Sequence, residues 1–270
     1  MAGCGLVRTG YEQLNVLSYW WLDRYLDFDQ MQAHTVKSDL KALHAWHRST
    51  QLPAYADVLT QLQLMAKDSV SPAASCEVIT QAKDQFETTM EQTVPLAATL
   101  ALSLQPSNLQ RLRKKFAAED KKWRAKWLDV SAEKLAETRS EQWGDRSEFF
   151  YGRLTANQKQ TIRDAIARSS LDPQISWMLR QRRQEDILAT LDNIRQSQPA
   201  RMQAEAEVRA LMARSLDPDD PAVVQMRRDL LSEACVNAAA LHELTTPRQR
   251  KHAQEKLAGL AQDFRQLAAR

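Results

Sequence analysis

Apolar residues recur every three or four positions along most of this chain of 270 residues, which is the spacing of amphipathic helices. One such stripe consists of Leu109, Leu112, Phe116, Trp123 and Trp127. Core packing is the usual role of a stripe of this kind. The pattern therefore predicts an all-α protein in which each helix turns one face inward.

Five of the nine prolines mark the starts of helices. Proline suits the first helical position, because its missing N–H would have no partner there. These prolines are Pro72, Pro106, Pro173, Pro221 and Pro247, and all but the second follow a capping residue. We predict about ten helices packed as an irregular multi-helix array with no sheet. The predicted segments, some of which we expect to merge, are roughly 11–26, 29–49, 53–67, 72–93, 95–103, 106–128, 131–152, 155–169, 173–196, 199–214, 221–243 and 247–269.

Composition narrows the class of protein. Only 6 residues are glycine, which nearly excludes a turn-rich β-sandwich and a nucleotide-binding fold built on a glycine loop. The best candidate for a membrane span, residues 94–104, is interrupted by Pro95 and is much shorter than the ~20 residues that a span needs. We expect residues 1–10 to form a tether and residues 11–270 to form a helical body, with a possible subdivision near residue 105.

Charge is distributed unevenly along the chain. Residues 1–100 carry 7 basic and 11 acidic groups, residues 101–215 carry 22 and 15, and residues 216–270 carry 8 of each. The middle part of the chain, residues 101–215, is therefore the basic one. A solvated helix face is the usual reason for such an excess of basic side chains, and an anionic partner is the alternative. No nucleic-acid-binding signature accompanies it, so we expect no nucleic-acid partner. The candidate partner-binding residues are Arg111, Lys114, Lys115, Lys121 and Lys122.

The first four residues, Met1-Ala2-Gly3-Cys4, resemble the lipobox of bacterial lipoproteins, Leu-Ala-Gly-Cys, whose cysteine becomes the lipidated amino terminus. Ala2 and Gly3 match the small residues that the signal peptidase requires. The charged start and apolar stretch of a signal peptide do not precede Cys4. We therefore expect the natural reading frame to begin further upstream, and the alternative is that Ala-Gly-Cys occurs here by coincidence.

Two clusters further along carry a second resemblance. Residues 20–27 read Trp-Trp-x-Asp-x-Tyr-x-Asp, and residues 46–55 read Trp-His-x-x-Thr-x-Leu-Pro-x-Tyr. Both are similar to the opening of the mature chains in an uncharacterised family of proteobacterial lipoproteins, a domain of unknown function. The resemblance extends over most of the chain and implies that Cys4 is the lipid attachment site. Because Gly5 follows the cysteine, where an aspartate would favour the inner membrane, it also implies an outer-membrane anchor with the body facing the periplasm.

A helix-opening motif recurs in the second half of the chain. Its residues are Leu154, Thr155 and Gln158 in one copy and Thr246 and Gln249 in another, with residues 104–108 as a looser third copy. A capping box explains each copy, because the threonine accepts from the third amide of the helix while the glutamine reaches back to the threonine N–H. The pattern Leu-Thr-x-x-Gln also resembles the paired motif of the Spy and CpxP group of periplasmic helical proteins. That resemblance implies an ATP-independent chaperone or a stress or metal sensor.

The sequence contains no familiar catalytic motif. It has no Gly-x-Ser-x-Gly elbow, no His-Glu-x-x-His pair and no phosphate-binding glycine loop. We therefore predict that the protein is not an enzyme, has no cofactor and takes no small-molecule substrate. The one candidate for acid–base chemistry is the pair Asp23 and Asp27, which share a helix face near Tyr25. This pair leaves an envelope hydrolase as an alternative.

Two histidines and two cysteines are the remaining candidates for metal or redox chemistry. His44 and His47 could face one metal ion, but no third ligand accompanies them, so we predict no metal site. His47 is expected to make a buried hydrogen bond beside Trp46. Cys76 and Cys235 could pair in an oxidising compartment, but we expect them as two buried free thiols.

Together these features favour a non-enzymatic lipoprotein of the bacterial envelope. The membrane is expected to hold it through a lipid anchor, while its helical body binds proteins or peptides in the periplasm as a holdase-type chaperone. The body is rich in tryptophan, methionine and basic side chains, which suit partly unfolded chains. The alternatives are a structural component of envelope assembly with one dedicated acidic partner, and the hydrolase.

Overall fold

The computed structural model describes residues 3–270, with side chains from Arg8 onward. This part of the chain forms twelve α-helices, one π-helical turn and no strand, which confirms the all-α prediction. The helices are α1 (Gly3–Glu12), α2 (Leu14–Leu26), α3 (Gln30–Trp46), α4 (Leu52–Met65), α5 (Pro72–Ser103), α6 (Pro106–Trp127), α7 (Ala132–Tyr151), α8 (Ala156–Ala167), α9 (Pro173–Ser197), α10 (Arg201–Leu216), α11 (Pro221–Glu243) and α12 (Pro247–Ala268), and the π-helical turn is His47–Gln51. The lipobox prediction concerns Met1, Ala2 and the side chain of Cys4, which lie outside the described residues.

Capping residues set the starts of the helices. Each of the five predicted prolines lies in the first turn of its helix. Ser71, Asp172, Asp220 and Thr246 precede four of these prolines, and each side chain accepts a hydrogen bond from a backbone N–H of the first turn. These bonds satisfy donors that have no partner within the helix, so the helix starts follow from local sequence.

One helix continues through a proline that predicts a break. Pro95 lies inside α5, so the predicted segments 72–93 and 95–103 form a single helix of 32 residues. A proline in a helix interior removes a hydrogen bond and crowds the preceding turn. Here Val94 and Ala98 are fully buried against α9 and α10, and this packing keeps the helix continuous. Although α5 is long, neither it nor any other described helix has an apolar stretch sufficient to cross a membrane.

A π-helical turn joins two other segments that the sequence separates. The chain passes from α3 through His47–Gln51 directly into α4. Leu52 N–H donates to the carbonyl oxygen of His47, five residues back. Pro53 follows and has no N–H to offer the preceding turn. The wider turn therefore accommodates the proline without ending the helical path.

The first predicted helix is two helices in the structure. α1 begins at Gly3, inside the predicted tether, and α2 begins after a turn at Gln13. α1 packs on α12, where Arg8 donates to Gln266 at 3.0 Å. The contact between the two ends of the chain therefore holds α1 in place.

The helices pack around α5, which contacts α3, α4, α9, α10 and α11. The most extensive pair outside this centre is α4 with α12. Ala66, just after α4, lies in one apolar cluster with Ala253, near the start of α12. Arg265, near the end of α12, donates to Thr60 Oγ1 at 2.9 Å. The two helices are therefore antiparallel.

Cys76 and Cys235 form a disulfide, so the expectation of two free thiols is wrong. The bond links α5 to α11 across 159 positions of sequence, with the two Cα atoms 5.0 Å apart. That separation lies in the normal range for a disulfide. The packing of α5 against α11 brings the cysteines together, and spacing along the chain gives no sign of it.

Candidate functional site

Gln158 opens α8 and is fully buried. It forms a capping box with Thr155, because Gln158 N–H donates to Thr155 Oγ1 (3.3 Å) and Thr155 N–H donates to Gln158 Oε1 (2.8 Å). Leu154, just before the cap, is buried in a cluster with Ile162 and Leu241. This copy of the motif is therefore a helix start, as the capping pattern predicts.

Gln249 has the same role with Thr246 at the start of α12, and the two glutamines meet. Gln158 Nε2 donates to Gln249 Oε1 at 2.9 Å, and Gln249 Nε2 donates to Gln158 Oε1 at 3.0 Å. Each amide also donates to the carbonyl two residues before the other cap: Gln158 to Leu244 O at 3.0 Å, and Gln249 to Arg153 O at 3.1 Å. Both side chains thus use all their donor and acceptor positions. We call this nearly two-fold arrangement the Gln158–Gln249 lock.

A second lock of the same design, the Gln32–Asn108 lock, joins α3 to α6. Gln32 forms a complete capping box with Asp29. Its Nε2 donates to Asn108 Oδ1 at 3.1 Å and to Ser103 O at 2.7 Å, while Asn108 Nδ2 donates to Asp27 O at 3.1 Å. The looser third copy of the motif therefore pairs with a box that sequence reasoning missed. Asp-x-x-Gln is itself a capping-box pattern and could have identified it.

A buried histidine lies beside the Gln158–Gln249 lock. His242 Nε2 donates to the carbonyl oxygen of Asp68 at 2.8 Å, so its Nδ1 carries no proton and accepts from the Tyr151 hydroxyl at 3.0 Å. Burial lowers the pKa of His242 and raises the pKa of Tyr151. Both side chains are therefore neutral at neutral pH, and they join α7, α11 and the segment after α4.

Tyr151 and His242 also form part of the wall of an apolar cavity of about 240 Å³. The rest of the wall includes Leu62, Val78, Ile79, Phe150 and Leu257. Since His242 uses both ring nitrogens inside the protein, the wall offers apolar contact, the hydroxyl of Ser75 and an acceptor position on the Tyr151 oxygen.

An open groove of about 450 Å³ lies between α7, α8 and α11. Its lining includes Trp127, Trp143, Leu230, Arg139, Arg146 and Glu233. Arg139 is fixed by a hydrogen bond to Ser169 Oγ at 2.8 Å. The groove thus presents apolar surface and both signs of charge side by side, a combination that can accommodate a peptide segment.

The predicted partner-binding cations on α6 divide into two groups. Lys115 and Lys122 both pair with Glu119, at 3.4 and 2.9 Å, and their hydrogen bonds lower the pKa of Glu119. The other three of the five predicted residues, Arg111, Lys114 and Lys121, are exposed and make no ion pair with any residue in 8–270. The free cationic surface is therefore smaller than the sequence predicts.

The predicted acid–base pair lies at the end of α2. Asp23 Oδ1 accepts from Phe28 N–H at 3.0 Å. Asp27 has a positive φ of 59° and ends the helix. Tyr25 packs against Trp21, with ring centroids 4.7 Å apart. These residues thus have local roles in ending and packing α2.

His44 and His47 pack against α1. The Tyr11 hydroxyl and His47 Nδ1 are 2.8 Å apart, so His47 makes a hydrogen bond that is part-buried rather than buried as predicted, and the Tyr11 ring lies 4.7 Å from the His44 ring. Burial raises the pKa of Tyr11 to about 12 and lowers the pKa of each histidine. All three side chains are therefore neutral at neutral pH. Over the described part of the chain, no three histidine, cysteine or acidic side chains come together as metal ligands.

Comparison with known proteins identifies a family. Residues 24–217 match a family described as a family of unknown function (DUF6279). The match includes the Gln32–Asn108 lock and the first copy of the Leu-Thr-x-x-Gln motif, and ends before the second copy. No curated protein and no solved structure matches the chain. The resemblance to an uncharacterised family is confirmed at this level, whereas the lipoprotein and Spy and CpxP likenesses stay predictions. Because the match covers well over half of its length, the chain belongs to the DUF6279 family of unknown function.

Proposed function

We propose that this chain is the helical body of a non-enzymatic lipoprotein of the bacterial envelope. Cys4 anchors it at the periplasmic face of the outer membrane, and its body binds proteins or peptides as a holdase-type chaperone. The observation that supports the periplasmic location is the Cys76–Cys235 disulfide. Disulfides persist in oxidising compartments such as the periplasm and are rare in the cytosol.

The third cysteine of the chain supports the same proposal. With Cys76 and Cys235 bonded, Cys4 is the one cysteine outside the disulfide. An unpaired thiol in an oxidising compartment tends to pair with another molecule or to react. Transfer of a diacylglyceryl group to the Cys4 sulfur, which forms a thioether, removes that thiol. Three fatty chains would bury methylenes at ~0.8 kcal/mol each, which makes the membrane attachment effectively permanent.

Mass spectrometry of protein from the membranes of its native host tests the anchor. The expected amino-terminal peptide begins at Cys4 and carries the mass of a diacylglyceryl group and an amide-linked acyl chain. Cys4→Ser is expected to remove both lipid masses while the Cys76–Cys235 bond still forms. A bare Cys4 sulfur with Met1 retained would contradict the envelope assignment.

Exposed apolar side chains on several helices support the binding of clients. They include Leu64, Phe86, Phe149 and Met202, which lie on α4, α5, α7 and α10. Partly unfolded chains expose apolar patches of varied shape, and apolar side chains dispersed over several helices can meet many of them. This surface favours a holdase over a protein with a single small ligand.

Aggregation assays with several unrelated client proteins test the holdase. The full chain, at amounts equal to the client, is expected to slow aggregation of each client. Changing both Phe86 and Phe149 to serine is expected to weaken this effect, and Lys83→Ser, one turn from Phe86, is the matched control. If the unaltered chain protects none of the clients, the chaperone proposal is wrong.

A second candidate function is a structural role with one acidic partner. It is favoured by Arg111, Lys114 and Lys121, exposed cations that make no ion pair within residues 8–270 and whose spacing places them on one side of α6. Changing Lys114 and Lys121 to glutamate would then abolish salt-sensitive capture of one envelope protein, whereas a holdase would change little. Lys67→Glu, at an exposed lysine outside α6, is the control.

A further inference from the structure

One face of α2 is apolar and exposed. The α2 patch consists of Leu14, Val16, Leu17, Trp20 and Trp21, of which the last three are 55%, 58% and 56% exposed. The opposite face, which carries Tyr19 and Leu26, is buried against the rest of the protein. A helix that is apolar on both faces is normally covered on both, and an exposed cluster of this kind marks an interaction surface.

We propose that the α2 patch docks onto the surface of a phospholipid bilayer, with Trp20 and Trp21 at the level of the headgroups. Tryptophan favours this position because its ring is largely apolar while its indole N–H can donate to a polar headgroup. Neither indole N–H donates to another residue within 8–270. Leu17 lies between the two tryptophans on the exposed face and adds apolar surface that the bilayer can bury.

Two exposed cations lie beside the α2 patch. Arg24 is on α2, one turn after Trp20 and Trp21. Lys37 on α3 places its Nζ 4.3 Å from the ring centroid of Tyr19, whose ring packs edge-on against Trp20. The acidic Asp23 accepts a hydrogen bond from Phe28 N–H at the end of the helix. An aromatic surface with cations beside it complements anionic headgroups, which attract basic side chains close to the membrane.

The position of α2 in the chain fits the same partner. α1 contains Cys4 and ends at Glu12, two residues before α2 begins. A helix of this length spans only ~15 Å, at 1.5 Å per residue. If Cys4 carries the lipid anchor, a step that rests on the function proposed above, the α2 patch lies close to the same bilayer. The anchor would then hold the protein at the membrane, and the α2 patch would fix its orientation there.

Vesicle binding by the full chain carrying Cys4→Ser tests the proposal without any contribution from an anchor. The protein is expected to bind vesicles of phosphatidylethanolamine and phosphatidylglycerol, and less so vesicles of phosphatidylcholine. Changing Trp20 and Trp21 to serine is expected to lower the partition coefficient at least ~10-fold. Leu17→Ser should lower it a few-fold, whereas Leu64→Ser, at a side chain that is also 56% exposed, should leave it unchanged.

Lipids brominated on their acyl chains give a second readout, which does not depend on a variant that folds. They are expected to quench part of the tryptophan fluorescence of the chain with both tryptophans present. Absence of vesicle binding, or binding that the double tryptophan change leaves intact, overturns the proposal. So does a dimer that the same change abolishes, because a second copy would then cover the α2 patch. None of these results bears on the lipidation of Cys4, which mass spectrometry of the amino-terminal peptide tests separately.

Discussion

Replacing Gln158 with alanine should remove the side-chain contact with Gln249 that joins α8 to α12. The Gln158 side chain makes four hydrogen bonds of 2.8–3.0 Å, to Thr155, Leu244 and, twice, Gln249. Each is worth about 1 kcal/mol net, and the buried groups left without partners add to the loss. We therefore expect Gln158→Ala to lower the free energy of unfolding by about 3–5 kcal/mol.

A double-mutant cycle separates the lock from its two capping boxes. Gln249→Ala alone should cost about as much as Gln158→Ala, because it loses equivalent bonds. The double variant should cost less than the sum of the two, by about 1–2 kcal/mol, since the two bonds between the glutamines are counted in both single changes.

Urea unfolding followed by circular dichroism measures these differences, provided that the slope of the unfolding free energy against urea concentration is the same in all variants. Gln160→Ala on the same helix is the matched control. Gln160 is exposed, and its hydrogen bonds are to Asp164 and Arg163 on that helix, so a change within ~0.5 kcal/mol is expected. A loss below ~1 kcal/mol for Gln158→Ala, or additive single changes, would refute the argument that the lock couples the two helices.

Three further predictions concern stability. Changing both Cys76 and Cys235 to serine frees a long loop in the unfolded chain. In the chain-entropy account this lowers the free energy of unfolding by about 5 kcal/mol. The expected fall in melting temperature is roughly 10 °C. His242 has a lowered pKa in the folded protein, so the unfolded chain binds its proton more readily. Stability should therefore fall as pH drops below about 6.5 and be independent of this group above that value. His242→Gln should weaken this dependence in unfolding measured between pH 5 and pH 8, and an unchanged slope would contradict it. Asn108→Ala, in the second lock, should cost about 2–4 kcal/mol in the same urea assay, and a loss no larger than that of Gln160→Ala would count against the second lock.

Both locks combine a local function with a long-range one. The glutamine or asparagine at the third helical position first completes the helix start, as it does in any capping box. Its remaining donor and acceptor positions then bind the equivalent side chain of another helix start. This design joins α8 to α12 and α3 to α6 with side chains that local structure already holds in place. A small number of polar contacts can thus position helices far apart in sequence.

The helix starts at the five prolines were predicted correctly from sequence, whereas the start of α1 and two of the predicted breaks were wrong. The prolines at Pro72 and Pro173 open helices as predicted, because the cost of a proline disappears where no N–H is needed. Pro95 and Pro53 lie in chain that stays helical, through buried neighbours in α5 and through a π-helical turn before α4. Local propensity is a weak preference that tertiary packing can override.

The sequence by itself determined the helical class, the starts of the helices and the capping boxes, because each depends on residues within one or two turns of each other. The tertiary structure alone decided which boxes pair and that Cys76 bonds to Cys235. The tertiary structure also leaves one apolar face of α2 exposed. These features depend on which helices become neighbours, and apolar periodicity tells a helix which face to bury without specifying what to bury it against.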